Sequence, residues 1–151
     1  MLYLDHNDKA NIHEGIQIDE PVMFIPWNTD EETFKEVFKH KNMHCVADKY
    51  YSIRGATIFG EGYCNIGITF ENTIREVSIS REHYDGLDDY VKSFLAYQTS
   101  LARRFGEPHK CKQMPNGFAH YEWYFGNSII IRHYVMERFC LEEHLRIERI
   151  K

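Results

Sequence analysis

The chain has 151 residues, of which 43% are hydrophobic and 15% aromatic, and its formal net charge is −5. This length and composition predict a single domain over residues 1–151 with a hydrophobic core, and the aromatic content argues against disorder. No apolar run approaches the roughly 20 residues of a membrane helix, and the start MLYLDHNDK lacks the basic and apolar stretches of a signal peptide. We therefore expect a cytoplasmic protein that does not bind membranes.

The excess negative charge is confined to the first part of the chain. Residues 1–40 hold nine acids and three bases, so their net charge is −6, whereas the remainder carries +1. Because nucleic-acid binding requires a basic face, we expect no nucleic-acid partner. The acidic third favours a basic protein partner, with a merely solvated acidic face as the alternative. The candidate contact residues are Asp30, Glu31, Glu32 and Glu36.

The N-terminal third predicts little regular structure before a short helix. Residues 1–15 are polar without a clear period and are interpreted as a loose or edge segment. The apolar run 22–25 lies between two prolines, which predicts a short strand or an edge strand. Thr29 and Glu32 form a capping box, and the apolar spacing that follows predicts a helix to about His40.

Residues 43–80 change to a period of two. Ile66, Ile68 and Phe70 alternate with polar or small neighbours, and the glycines of 60–62 mark a turn. This segment predicts a meander of three or four antiparallel strands.

The clearest predicted element is a long amphipathic helix from Asp85 to Phe105. Asp85 is a suitable N-cap, Gly106 can take the left-handed position after the helix, and Pro108 prevents its continuation. Such a helix would be about 30 Å long and could cross a whole sheet. We expect its apolar stripe to lie entirely in the core: Leu87, Tyr90, Val91, Phe94, Leu95, Leu101, Ala102 and Phe105.

Strand patterns resume after this helix, in 121–125 and 129–135. Residues 136–150 fit either a helix or a strand, and we favour a final strand over 144–150. The predicted fold class is therefore α+β, with an antiparallel sheet of about six strands packed by one long and one short helix. No internal repeat and no linker is visible in the sequence.

No complete catalytic or cofactor motif is present. The glycines of 55–60 have phosphate-loop spacing, but Glu61 stands where a phosphate loop has lysine. His120 and Glu122 match one half of a zinc-deaminase signature whose cysteine half is missing. The four cysteines form no C-x-x-C pair, so we expect free thiols, no metal site and no cofactor.

One group of polar residues supports an alternative function. His120, Glu122 and His133 are candidates to line a pocket between helix and sheet. Such a pocket would make the protein a small-molecule binder or a small enzyme.

The part of the chain from Cys64 onwards shows a hairpin, an amphipathic helix ending in F-G-x-P, and a meander with one tryptophan. The residues that carry this pattern are 66–79, 87–105, Gly106, Pro108, Trp123 and 129–147. The pattern resembles small uncharacterised bacterial proteins and the immunity proteins of contact-dependent or polymorphic toxin systems. The resemblance covers over half the chain and implies a fold, but it assigns no functional residues.

Our leading hypothesis is a non-enzymatic protein-binding domain, with an immunity-like inhibitor of a bacterial toxin as its specific form. An acidic inhibitor suits a basic toxin because complementary charge speeds their encounter. A homo-oligomeric structural module is a third interpretation.

Overall fold

The structure is a computed structural model that describes residues 12–150. Its first elements are the strands β1 (Gly15–Ile18) and β2 (Met23–Pro26) and the helix α1 (Glu31–Phe38). There follow β3 (Met43–Ala47), β4 (Tyr50–Ile58), β5 (Glu61–Phe70), β6 (Ile74–Arg81) and the helix α2 (Leu87–Phe105). The last four strands are β7 (Lys110–Lys112), β8 (His120–Phe125), β9 (Ile129–Glu137) and β10 (Leu141–Arg149).

Eight of these strands form one antiparallel sheet, in the order β3-β4-β5-β6-β10-β9-β8-β7. β1 and β2 form a separate two-stranded sheet. Each half of the large sheet is a helix followed by a four-stranded meander, α1 with β3–β6 and α2 with β7–β10. The halves meet where β6 pairs with β10, for example at Ile79 opposite Leu145.

The predicted fold class was wrong. The protein is mostly sheet, with 50% strand and 19% helix, and its main sheet has eight strands rather than about six. β7 was not predicted because its three residues are all exposed and show no apolar pattern. The two-stranded sheet of β1 and β2 is also separate from the main sheet, whereas the prediction placed every strand in one layer.

α1 forms where the sequence indicated a helix, but its cap is a different residue. Asp30 is the N-cap and accepts a hydrogen bond from the Thr33 backbone N–H at 2.8 Å. The capping box expected at Thr29 was therefore wrong by one residue. Phe34 and Phe38 are buried and stack with ring centroids 4.7 Å apart, and Phe34 also contacts the rings of Tyr51 and Phe70, which holds α1 on the sheet.

α2 confirms the predicted long helix and its C-terminal stop. Gly106 has φ +82° and its N–H donates to the Ala102 carbonyl at 2.8 Å. The start differs from the prediction because Gly86 is the N-cap. Asp85 does not cap the helix; instead its backbone N–H donates to the Asp89 carboxylate at 2.6 Å.

The apolar stripe of α2 is only partly buried. Phe94, Leu101 and Phe105 face the core as expected, whereas Leu87 and Leu95 are each 59% exposed. The buried side of α2 instead includes two serines, Ser93 and Ser100. The expectation that the whole stripe packs in the core was therefore wrong, because the sheet beneath α2 presents polar groups that need polar partners.

Both helices pack against the same side of the main sheet, which we call the covered face. Phe34 contacts the rings of Tyr51 and Phe70, while Phe94 stacks on His133 with ring centroids 4.2 Å apart. The core lies between this face and the helices, where Trp123, Ile131 and Ile147 are fully buried.

Two further predictions concern the two ends of the chain. The final strand is confirmed, because β10 pairs with β9 along its whole length. The loose or edge segment expected for residues 1–15 falls largely outside the described residues. Within them, Ile12 is 3% exposed and its carbonyl accepts a hydrogen bond from Trp27 Nε1 at 2.7 Å, so residue 12 is fixed to the core.

Candidate binding surface on the open face of the sheet

The opposite side of the main sheet, which we call the open face, carries polar and aromatic side chains. In a strand successive side chains point to opposite faces, so the residues that alternate with those facing the helices point to the open face. The side chains that β8, β9 and β10 place on the open face are His120, Glu122, Tyr124, Ile130, Arg132, Tyr134, Met136, Glu142, His144, Arg146 and Glu148.

Arg132 is the centre of an ion-pair ladder on the open face. Its Nε lies 3.2 Å from Glu122 Oε2, and its Nη1 contacts Glu148 Oε2. Burial acts to raise the pKa of Glu122, but hydrogen bonds from Tyr124 and Arg132 outweigh it, so the pKa is lowered. These contacts keep the side chains ionised and fixed in place across three strands.

Three rings stand beside this ladder in a cross-strand stack. Tyr134 lies between His120 and His144, with centroid distances of 4.7 and 5.0 Å and interplanar angles of 14° and 16°. Burial, and then the neighbouring Arg146 charge, lower the pKa of His144. The stack adds a row of ordered amphipathic side chains to the open face.

A groove of about 790 Å³ lies at the end of this stack. Its floor includes His120 and Tyr134, and the loop from Met114 to Asn116 forms a wall. The Asn116 amide holds this loop in place, since Nδ2 donates to the Val135 carbonyl at 2.9 Å and Oδ1 accepts from the Phe118 N–H at 3.0 Å. The groove is therefore a built feature of the open face.

A second polar group lies on the covered face, beneath α2. The Glu143 carboxylate contacts His133 Nε2 at 2.7 Å and accepts hydrogen bonds from Ser93 at 2.5 Å and Tyr84 at 2.8 Å. The other ring nitrogen of His133 lies 3.0 Å from Gln98 Oε1. This network joins α2 to β9 and β10.

Burial and hydrogen bonding set the charges in this network. Burial lowers the pKa of His133, and the carboxylate of Glu143 only partly opposes that effect. Burial acts to raise the pKa of Glu143, but the hydrogen bonds that it accepts lower it overall. The arrangement is an ionised carboxylate that accepts hydrogen bonds from a neutral ring and two hydroxyl groups. A neutral ring that donates from Nε2 accepts at Nδ1, so the side-chain amide of Gln98 is turned to donate its N–H to that nitrogen.

The same geometry does not form a nucleophilic triad. In a triad the histidine lies between the nucleophile and the carboxylate, and its free nitrogen removes a proton. Here Ser93 binds Glu143 directly, and both nitrogens of His133 already have partners. His133 is also 0% exposed, so no substrate reaches its ring. The network ties the helix to the sheet.

The three predicted pocket residues do not meet. His120 and Glu122 lie together on the open face, with His120 Nε2 3.1 Å from Glu122 Oε2. His133 lies on the covered face, because it is the cross-strand partner of Tyr121 rather than of His120. The space between helix and sheet is occupied by side chains that pack on His133, among them Phe94 and Tyr97.

The four predicted acidic contact residues all lie at α1, and each already has a partner. Asp30 caps the helix, and Glu31 accepts a hydrogen bond from Tyr51 at 2.5 Å. The other two form ion pairs within the helix and just after it, Glu32 with Lys35 and Glu36 with Lys39.

Sequence reasoning missed Glu143, Ser93 and Tyr84. A signal for Glu143 was present, since it is in phase with Leu145 and Ile147 on the apolar side of β10. A carboxylate in that phase requires partners in the core. Ser93 offers a similar signal on the buried side of α2.

Residues 12–150 contain neither a metal-ligand cluster nor a helix that could span a membrane. No group of three or more His, Cys, Asp or Glu side chains lies close enough together there to hold a metal ion. Neither of the two helices in that range has the length and apolar character needed to cross a membrane.

Comparison with known proteins identifies a fold and no function. The sequence matches no protein-family model and no curated protein. Its structure is similar to the crystal structure of a DUF4309 family protein, YjgB, from Bacillus subtilis, with a TM-score of 0.54. The match covers 99% of this chain and 98% of the other, at 11% sequence identity. The two proteins therefore share a fold, in keeping with the resemblance to uncharacterised bacterial proteins, and nothing in the match concerns toxin immunity.

Proposed function

We propose that this chain is a protein-binding domain whose partner contacts the open face of the main sheet. The observation that carries the proposal is the ordered arrangement of Arg132, Tyr134 and their neighbours on a face that neither helix covers. Side chains already fixed by ion pairs and stacking lose little conformational entropy when a partner binds. Arginine and tyrosine are also the residue types that most often dominate binding energy at interfaces.

The size of the open face suits a stable protein complex. Eight strands spaced about 4.8 Å apart span roughly 34 Å, and strands of six residues are about 20 Å long. The face therefore offers roughly 700 Å², close to the ~800 Å² that each partner contributes to a standard interface. A small molecule would use only a fraction of this surface.

The contacts at α1 favour the open face over the acidic residues as the main contact surface. Glu32 is paired with Lys35 of the same helix and Glu36 with Lys39 directly after it, so their charge is partly neutralised. An immunity-like inhibitor of a toxin remains a narrower form of the proposal, and its partner would then be the toxin domain.

Site-specific photo-cross-linking in the source cell tests the proposed surface. A benzophenone amino acid replaces Tyr134 on the open face or, as the matched control, Leu95 on the exposed side of α2. We expect a discrete cross-linked protein from position 134 and none from position 95. Cross-links from both positions alike, or to a second copy of this chain, contradict the proposal.

The protein captured at position 134 is then purified and its affinity measured with two charge reversals. Arg146→Glu on the open face should weaken binding at least tenfold, whereas Lys92→Glu on α2 should leave it within twofold. Equal affinities of the two variants would contradict the assignment of the contact surface.

A further inference from the structure

The two edges of the main sheet differ in length and charge. β7 has three residues, two of them the lysines Lys110 and Lys112, and a short edge with lysines resists pairing with a further strand. β3 has five residues, four of which are exposed, and it contains no lysine, arginine, acid or proline. Within the part of the chain that the structure describes, β3 pairs only with β4. β3 is therefore the edge that a further strand can join.

The hydrogen bonds between β3 and β4 show which main-chain groups of β3 point outwards. The Arg54 N–H of β4 donates to the carbonyl of Asn42, directly before β3, at 3.1 Å. Hydrogen-bonded and non-hydrogen-bonded pairs alternate along an antiparallel ladder, so the pair at His44 is also bonded to β4. The N–H and C=O groups of Met43 and Cys45 therefore point away from β4. A strand laid along this edge can bond to all four groups.

A bulge limits the length of the usable edge. The register of β3 on β4 shifts between Cys45 and Ala47, and Cys45 Sγ donates to the Ala47 carbonyl at 3.4 Å. Before the shift, residues 43–45 are paired regularly. At their start Asn42 Nδ2 donates to the Arg54 carbonyl at 3.0 Å, which holds the strand in place. The outward groups are thus ordered in advance for one short pairing.

The charges around this edge do not oppose pairing with a second copy. Lys41 and Arg54 lie at the start of β3, whereas Asp48 and Lys49 follow its end. Antiparallel pairing brings the start of one strand beside the end of the other. There the two cations of one copy meet an acid and a base whose charges cancel, so the pairing depends on the main-chain hydrogen bonds.

We infer that β3 pairs with β3 of a second copy of this chain, antiparallel and across a two-fold axis at His44. In this register Met43 of each copy is opposite Cys45 of the other, and their outward groups form four hydrogen bonds. One two-fold operation satisfies the same groups on both chains, so the edge is complementary to itself. The pairing uses only residues 43–45 and excludes the bulge.

The protection of β7 limits this pairing to two copies. If both edges accepted strands, β3 of one copy could pair with β7 of the next and the sheet would extend without end. The inference goes beyond the proposed function, because β3 lies five strand positions, about 24 Å, from β9. The open face of β8, β9 and β10 stays accessible in the dimer, so position 134 should not cross-link to the second copy.

Sedimentation equilibrium of the full-length protein tests the dimer. Because the pairing is short, it belongs with weak associations, and the protein is measured from about 5 to 500 µM. We expect the average mass to rise from that of one chain towards that of two chains. The mass of one chain at every concentration would overturn the inference, as would a mass that continues to rise beyond two chains.

Charge substitutions at the axis test the register, because His44 is opposite itself in the dimer. His44→Glu and His44→Lys each place like charges directly opposite one another and should weaken the dimer about fivefold. An equimolar mixture of the two variants should associate at least as tightly as the wild type, since opposite charges then face each other. His44 is exposed, with its Nε2 3.2 Å from Asn42 Oδ1, so both variants should fold.

Cys111→Glu is the matched control, since Cys111 is the exposed central residue of β7 at the other edge. It should change the dimer affinity less than twofold. A mixture that associates no better than the single variants, or an equal loss in Cys111→Glu and His44→Glu, would overturn the inference. A cross-link from position 134 to another protein is independent of these results, so the protein-binding proposal can stand while the dimer fails.

Discussion

Two glutamates, one on each face of the main sheet, have similar partners and different consequences. Glu143 on the covered face and Glu122 on the open face each contact a histidine and accept a hydrogen bond from a tyrosine. The side chain of Glu143 is 1% exposed, whereas that of Glu122 is 12% exposed and shares an arginine with Glu148.

The two networks differ in whether another molecule can still contact them. The groups around Glu143 have used their hydrogen-bonding capacity on one another, so they hold α2 against the sheet and offer nothing to another molecule. The groups around Glu122 are equally ordered but lie at a surface. The covered face should therefore determine stability, and the open face should determine binding.

The largest expected difference between the two faces is the loss of stability when each glutamate is replaced. Glu143→Leu leaves His133, Ser93 and Tyr84 without their shared acceptor and should lower the free energy of unfolding by about 3–5 kcal/mol. Glu122→Leu should lower it by about 1 kcal/mol, because Arg132 keeps Glu148 and the other partners can reach water. Urea unfolding followed by tryptophan fluorescence measures both values.

A similar decrease in the free energy of unfolding for Glu143→Leu and Glu122→Leu would contradict the assignment of stability to the covered face and of binding to the open face. Partner binding provides the converse comparison. Glu122→Leu should weaken partner binding, while the fraction of Glu143→Leu that remains folded should bind normally.

The second prediction concerns the pH dependence of stability. Because burial lowers the pKa of His133 in the folded state, the unfolded chain takes up this proton more readily. The free energy of unfolding should therefore fall as the pH is lowered from 7 towards 5, below the ordinary histidine pKa of about 6.5. Phe94, Tyr97, Gln98 and Glu143 are the groups that face the ring from α2 and β10.

The slope of stability against pH identifies the responsible histidine. His133→Gln should flatten it, whereas the exposed His83→Gln should not. Some slope should remain, since the pKa of the partly buried His144 is also lowered. If stability depends on pH equally in His133→Gln and in the wild type, protonation of His133 does not destabilise the fold and this prediction is wrong.

The smallest expected effect is the coupling between Arg132 and Glu148. A double-mutant cycle with alanine should give about 0.5–1 kcal/mol at low salt and less in 1 M NaCl, because solvent and salt reach this partly exposed ion pair. The matched cycle of Ser93 and Glu143 should be insensitive to salt, since both groups are buried. Equal salt sensitivity in the two cycles would remove the distinction between the faces.

Local patterns were sufficient to predict the elements with strong apolar periodicity. α2 ends at Phe105 as Gly106 and Pro108 indicated, and β10 is the final strand. The exposed strand β7 has no such pattern, so the size of the sheet was underestimated.

Which residues share a site depends on how the strands pair, and a local sequence pattern does not reveal that pairing. His120, Glu122 and His133 looked like one group because all three are polar residues on neighbouring strands. The register that pairs Tyr121 with His133 places His133 on the other face. The pairing of β6 with β10 likewise joins residues more than 60 positions apart, which no short-range periodicity reveals.

The junction of β6 and β10 has a consequence for how this chain can be divided. The last strand of each half pairs antiparallel with the last strand of the other, so an approximate two-fold axis passes between them. This is the arrangement that two fused copies of a half-length chain would adopt. A cut in the connection 82–86 would produce two pieces, each with a bare strand edge that fits the other. That connection is therefore the place to split the protein into two fragments whose reassembly can be measured directly.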